Sequence, residues 1–195
     1  MPKVVADISM SLDGFVTGPD VAPGLGLGRG GEGLHTWALE PDPVDTEVLD
    51  DAVDATGVVV MGRRLFDIID APDGWNDEMG YGAARAAQPP LLVVTRTPPA
   101  EVRLADRTTF VVDGIGSAVS KGVSMADERE VVIMGGGRTI RTAIEAGVVD
   151  ELRLHLAPVL LGGGTPLFTG AAPRPLRQIH VRVSSHATHL TYRLG

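Results

Sequence analysis

Cysteine is absent from the 195 residues, which excludes disulfides, thiolate catalysis and cysteine-based zinc sites. Long apolar runs are missing as well: none approaches the roughly 20 residues of a membrane-spanning helix. Residues 1–7 reach the charges of Lys3 and Asp7 before a signal-peptide core could form. Positive charge is scarce, with 17 Lys and Arg against 25 Asp and Glu and a formal net charge of -8. No basic run offsets that balance, so the surface repels nucleic-acid backbones and anionic membranes. The expectation is a soluble, cytoplasmic chain with no nucleic-acid and no membrane partner.

Two familiar nucleotide signatures are lacking. Residues 18–34 hold seven glycines and two prolines without periodicity, which predicts a mobile, lid-like loop. This stretch has no Gly-Lys-Ser/Thr ending and is therefore no P-loop. The triplet Gly135, Gly136, Gly137 is not a Rossmann fingerprint, because its third glycine would fall on Ile140, and no acidic residue closes the next strand.

What is present reads as one globular domain over residues 1–195. The hydrophobic share is 44% and the charged share 22%, ordinary values for a chain with its own core. Residues 4–10 read as a strand, broken by Asp13-Gly14. Asp42, followed by Pro43, starts an amphipathic helix that Gly57 stops. The continuous apolar runs 58–61, 91–94, 110–112 and 131–134 suit buried parallel strands. Helical spacing links Leu65, Phe66 and Ile69 after Gly62. It also links Ile115, Ala118, Val119, Gly122 and Met125 after a capping Asp113, and Ile140, Ala143 and Ile144 before Gly147. Beyond Asp150 the period becomes two, through Leu152, Leu154 and Leu156, then Ile179, Val181 and Val183, then Leu190, Tyr192 and Leu194. An α/β fold with a mostly parallel sheet, flanking helices and antiparallel C-terminal strands follows.

In parallel sheets, ligands gather at the carboxyl ends of strands, where helix starts offer amides to anions. Gly62 with Arg63 and Arg64, and Gly135–Gly137 with Arg138 and Thr139, have that arrangement. Thr95-Arg96 ends another buried strand and offers a hydroxyl and a guanidinium where an acid would repel phosphate, which favours NADPH over NADH.

In their order and spacing, several markers are similar to those of the dihydrofolate reductase-like superfamily. They are residues 11–15 (Ser-Leu-Asp-Gly-Phe), 60–63 (Val-Met-Gly-Arg), 135–137 (Gly-Gly-Gly) and 157–168 (Ala-Pro-Val-Leu-Leu-Gly-Gly-Gly-Thr-Pro-Leu-Phe). The nearest branch is the reductase (C-terminal) domain of bifunctional riboflavin-pathway deaminase-reductases, and the match covers nearly the whole chain. The resemblance implies the three-layer fold of that superfamily and a homodimer. It places the cofactor phosphates on Gly62 and Arg63, the 2′-phosphate at Thr95 and Arg96, the pyrophosphate on residues 135–139, and the nicotinamide near Ile8, Ser9 and the loop from Asp13 to Gly18. Arg64 and Arg138 are further phosphate candidates.

The buried carboxylate of dihydrofolate reductases aligns with either Asp45 or Thr46, and the segment beginning at Leu161 is similar to the riboflavin branch's substrate wall. A small heterocyclic or imine-like substrate is implied, with a 5-amino-6-(5-phosphoribosylamino)uracil reductase-like activity as one form of it. A true dihydrofolate reductase or a catalytically silent NADPH-binding protein are the alternatives. No side-chain proton donor is identified.

The remaining residues divide two ways. Asp13 either forms a turn or offers a polar group at the pocket mouth. His35 and Trp37 either close over a planar substrate or anchor the loop. His186 and His189, three apart in a strand, point to opposite faces and make no metal site. His155 and His180 fall in the polar phase of their strands, as expected for a half-solvated sheet face.

Overall fold

The computed structural model describes residues 1–21, 26–83, 85, 88–170 and 172–195. In chain order the elements are β1 (Val4–Ser11), β2 (Phe15–Thr17), a 3-10 turn (Gly31–His35), α1 (Thr36–Leu39), α2 (Pro43–Ala55), β3 (Thr56–Gly62) and α3 (Arg63–Ile69). Then come β4 (Leu91–Val94), a second 3-10 turn (Ala105–Arg107), β5 (Thr108–Val111), α4 (Ile115–Met125), β6 (Glu130–Met134) and α5 (Gly137–Glu145). The chain ends on β7 (Glu151–Ala157), β8 (Thr165–Pro166), β9 (Leu176–Val183) and β10 (Thr188–Leu194). No helix among the described residues is long and apolar enough to cross a membrane.

The chain divides into two compact units. The first comprises residues 1–4 and 53–148. Its strands run β5-β4-β3-β6, all parallel. Their centres, residues 58–61, 91–93 and 131–133, are fully buried, as continuous Val/Ile/Leu runs covered on both faces should be. α3 buries Phe66 and Ile69, α4 buries Ile115, Ala118, Val119 and Gly122, and α5 buries Ile140 and Ala143. Gly122 sets how closely α4 approaches β6, since a Cβ there would lie 2.9 Å from a Val131 methyl.

The second unit comprises residues 5–52 and 149–195. β1 and β7 pair in parallel, Ser9 opposite His155, and β10 then pairs antiparallel with β7 and with β9. β2 and β8 form a small antiparallel pair. Parallel strands followed by antiparallel ones are the α/β arrangement that the shift in periodicity predicts.

Three local expectations change. Asp113 does not cap α4: Gly114, at φ 91, occupies the cap without a side-chain bond, and the Asp113 carbonyl accepts from Ser117 instead. Gly57 lies inside β3 rather than stopping a helix, because a residue without Cβ fits against Ala126 there.

The segment 18–34 is more tied down than its composition suggests, although its residues 22–25 lie outside the described residues. The Gly18 amide donates to Leu27 O at 2.7 Å and the Arg29 amide to Pro19 O at 2.8 Å. Arg29 pairs with Asp20, and Leu34 is fully buried. Glycine here serves close packing of backbone on backbone: Gly28 takes φ 78, and a Cβ on it would meet the carbonyl oxygens of residues 18 and 19.

Candidate functional site

In the first unit the carboxyl ends of β3, β4 and β6 carry most of the phosphate candidates. α3 starts at Arg63 behind Gly62, and α5 starts at Gly137 behind Gly136; neither helix start has a side-chain cap. Their first amides therefore lack the side-chain acceptor that ordinarily satisfies them, and the dipole adds to their pull on an anion. The two turns touch, since the space a Gly62 side chain would need is filled by the Thr139 hydroxyl. Gly136 is exposed at φ 75, and Gly135 at φ 62 lies against Leu65.

Arg63 is committed: it donates to Thr97 O at 2.7 Å and pairs with Asp67. The Thr95 hydroxyl donates to the same Thr97 carbonyl at 3.0 Å. Arg64, Arg96 and Arg138 are exposed and have no hydrogen-bonded or ion-pair partner among the described residues. Three partnerless guanidiniums beside two uncapped helix starts can hold phosphate groups.

The second unit differs. On β1, the side chains of Asp7, Ser9 and Ser11 share one face, and His155 of β7 and His189 of β10 occupy the same phase in the paired strands. The Trp37 indole N–H donates to Ser9 Oγ at 2.9 Å. The indole stacks on His155, with centroids 4.0 Å apart and planes at 27°, and meets His189 edge-on at 5.2 Å. A chain of contacts then runs through side chains of this face and of the 184–187 turn. Asp7 Oδ1 lies 3.0 Å from His155 Nε2, and His155 Nδ1 lies 2.7 Å from His189 Nδ1. His189 Nε2 lies 2.8 Å from Asp45 Oδ1, and His186 Nδ1 lies 2.9 Å from Asp45 Oδ2.

Asp45 is wholly buried. Burial alone would raise its carboxyl, but bonds from Ser184, His186, the Asp42 amide and His189 outweigh it and hold the group below the usual carboxylate range. Asp7 is likewise held low: burial opposes ionisation, and the charge and hydrogen bond of His155, together with Arg153 and His189, outweigh it. Burial pushes the His189 imidazole down, as does the neighbouring His155, while Asp45 pulls it back. His35, whose Nδ1 is buried without a hydrogen-bond partner, is lowered to about 4 by burial and by His155, against Asp7.

The network stands on one helix cap. Asp42 Oδ1 accepts from the amides of Val44 and Asp45 at 2.8 and 3.0 Å, the N-cap that the Asp-Pro start predicts. Its Oδ2 accepts from Ser185 N and Oγ at 2.9 and 2.8 Å. These bonds, that from the Ser185 amide foremost, hold the Asp42 carboxyl far below its ordinary value.

Several expectations change at these residues. His186 lies in the 184–187 turn rather than in a strand, so it and His189 converge on Asp45 instead of facing apart. His155 is buried, not half-solvated; only His180 is exposed. Trp37 is a buried partner of Ser9. Thr46 is exposed and its hydroxyl returns to Asp42 O at 3.0 Å. Asp13 accepts from Ser11 Oγ at 2.6 Å and from the amides of Leu161 and Gly162 at 3.1 and 2.7 Å. It therefore joins Leu161 as the anchor of that turn, and the Ser11 hydroxyl foremost keeps its carboxyl low. Asp7, His155 and His189 were missed by sequence reasoning. The available signal was the shared phase of His155 and His189 in two alternating strands.

Comparison with known proteins gives concordant matches. A family profile described as RibD C-terminal domain matches residues 2–190. The uncharacterized protein YyaP of Bacillus subtilis (strain 168) is 25% identical over 202 residues, covering 97% of this chain and 94% of that protein. A Shewanella sp. PV-4 protein, assigned provisionally to riboflavin biosynthesis, superposes with a TM-score of 0.73 at 23% identity, over 99% of each chain. The diaminohydroxyphosphoribosylaminopyrimidine deaminase/5-amino-6-(5-phosphoribosylamino)uracil reductase of Thermotoga maritima matches with a TM-score of 0.62 at 12% identity, over 100% of this chain and 57% of that one. At these identities the structural likenesses establish the fold.

Proposed function

Since the chain belongs to the RibD C-terminal domain family, we propose that it is an NADPH-dependent reductase acting on a C=N or C=C bond of a small heterocyclic or imine-like substrate. The observation that carries this reading is the first unit's pair of uncapped helix starts beside the partnerless Arg64, Arg96 and Arg138. Bound NADPH would supply a hydride. The protein's own part is to bind phosphates through Gly62, Gly135–Gly137 and Thr139, with Arg96 facing the 2′-phosphate. Reduction of an imine takes one hydride to carbon and one proton to nitrogen, so each turnover oxidises one NADPH and consumes one proton. The Thermotoga maritima relative's description suggests 5-amino-6-(5-phosphoribosylamino)uracil as the first substrate to try. Exposed apolar side chains on the outer strand β9, Leu176, Val181 and Val183 among them, support a homodimer, which sedimentation of the purified protein tests.

Arg96→Ala tests cofactor choice. A hydrogen bond to a charged group contributes roughly 1.5 to 3 kcal/mol, so NADPH should bind about 10- to 150-fold more weakly. NADH lacks the phosphate and should barely change. Equal losses for both cofactors, or none, would overturn the 2′-phosphate assignment. Oxidation of NADPH with dihydrofolate but not with the uracil substrate would favour a dihydrofolate reductase; binding of NADPH with no turnover of either would favour a silent binder.

A further inference from the structure

The contacts that cross His155 and His189 determine how many protons the pair holds. Each of the three contacts, Asp7 to His155, His155 to His189 and His189 to Asp45, is at hydrogen-bond distance, and each needs one proton between its atoms. Two neutral imidazoles bring only two N–H protons. That would leave one contact with lone pairs facing each other in a buried place. Two fully protonated rings would bring four and set N–H against N–H across 2.7 Å. Three protons satisfy every contact. The carboxyls are not the place for the third, because both Asp7 and Asp45 are held in the ionised direction. Each Nε2 keeps a proton toward its carboxylate, which leaves the third proton shared between the two Nδ1 atoms. The face of Trp37, stacked on the His155 ring at 4.0 Å, favours positive charge on the pair.

We propose that His155 and His189 act as one proton-storing dyad, holding three N–H protons between Asp7 and Asp45 and giving one up through Asp7. The protons of the release are all accounted for. The His155 Nε2 proton passes to Asp7 and on to the acceptor, the His155–His189 pair is left with two protons, and refilling it takes one proton from solvent.

The charged and titratable groups facing the dyad come from every element packed around it. They are Asp7 on β1, His35 on the first 3-10 turn, Asp42 and Asp45 at the start of α2, Arg153 on β7, and His186 in the 184–187 turn. His186 is the half-open end, its side chain 28% exposed against 0% for Asp45, and Asp7 is the other end at 12%. In a reductase, which needs one proton for each hydride delivered, such a store supplies it. That use rests on the function proposed above, whereas the store itself does not.

The test is nitrogen NMR of the full chain carrying 15N-histidine, titrated between roughly pH 5 and 8, with His189→Gln used to assign the resonances. At neutral pH the wild type should show three bound protons across the four ring nitrogens of His155 and His189. Two bound protons would overturn the proposal. Asp7→Asn removes one counter-charge and should lower the count to two at the same pH; a retained third proton would overturn the part assigned to Asp7. A single turnover of NADPH with 5-amino-6-(5-phosphoribosylamino)uracil, followed with a pH indicator, should show proton uptake from solvent lagging behind NADPH oxidation. Simultaneous uptake would overturn the use of the store in reduction. Absence of turnover with this substrate and with dihydrofolate alike would overturn the reductase reading and that use together, and the spectra would still decide the dyad.

Discussion

The two units treat polar groups in opposite ways. In the first, the interior is apolar and the groups suited to a ligand stand at strand ends, exposed and without partners, as Arg64, Arg96 and Arg138 do. In the second, polar groups go inside: every buried polar or charged residue among the described ones except Thr56 belongs to it, namely Ser9, Ser11, Asp45, Glu151, His155 and His189. An exposed guanidinium costs little to keep unpaired and can await an anion. A buried imidazole must find its partners within the fold, so its protonation is fixed by neighbours rather than by solvent. The difference separates a region built to receive charge from one built to hold it.

The sharpest break in this comparison is His189→Leu. It leaves Asp45 Oδ1 and His155 Nδ1 buried with a contact each removed. Breaking a buried charged pair in this way costs about 3–5 kcal/mol, read as a fall in urea midpoint at unchanged slope. A loss of the size seen for an exposed ion pair would mean that the network is wetter than its burial indicates.

Next in size is a pH effect confined to the second unit. His35 is lowered from 6.5 to about 4, so between those values the unfolded chain binds more protons than the folded one. Stability therefore rises with pH across that window, and about 3 kcal/mol is lost as pH falls from 6.5 to 4. His35→Leu should flatten the slope. Asp7 and Asp45 act lower: their contribution is complete above the ordinary carboxylate value of 3.8 and lost as pH falls through their depressed values. A denaturation series in pH separates the two windows.

Smaller again is Gly122→Leu in the first unit, where the added side chain meets Val131. Overpacking of this kind costs about 1–3 kcal/mol and should show no pH dependence, in contrast to the His35 effect. Least of all is Asp51→Ala, which removes the exposed pair with Arg182. Less than about 1 kcal/mol is expected, and less still in high salt.

The same contrast explains how much the sequence discloses. The strands and helices of the first unit are written locally. Residues 58–61 and 131–134 are unbroken apolar runs that each end at a glycine, and a helix follows each within a few residues. Alternation along β7 and β10 likewise marks which side chains share a face. It is silent on what covers that face, and Trp37 with the start of α2 covers it from more than a hundred residues away. Hence His155 reads as solvated while lying buried, and Asp45 reads as a pocket acid while committed to two histidines. The 184–187 turn misleads for a related reason: three-residue spacing separates two side chains only if both lie in one strand, and His186 lies outside β10. Asp113 next to Gly114 shows the limit at short range, where two residues could each begin α4 and only backbone geometry chooses.

The way the units are cut from the chain bears on the order in which they can be made. Nearly all of the first is one continuous stretch, residues 53–148, while the second joins residues 5–52 to residues 149–195. A ribosome that has just finished residue 148 has supplied every strand of the first unit's parallel set. β1 has no neighbour from its own unit until β7 emerges, with Val5 waiting for Glu151, and Asp45 has no histidine until residues 186 and 189 are synthesised. From residue 148 until the histidines at 186 and 189 are made, the nascent chain therefore carries a complete first unit together with a segment whose acids and whose Trp37 still lack their partners. That segment, with the apolar strand β1 still without β7, is the part of the growing chain most open to aggregation.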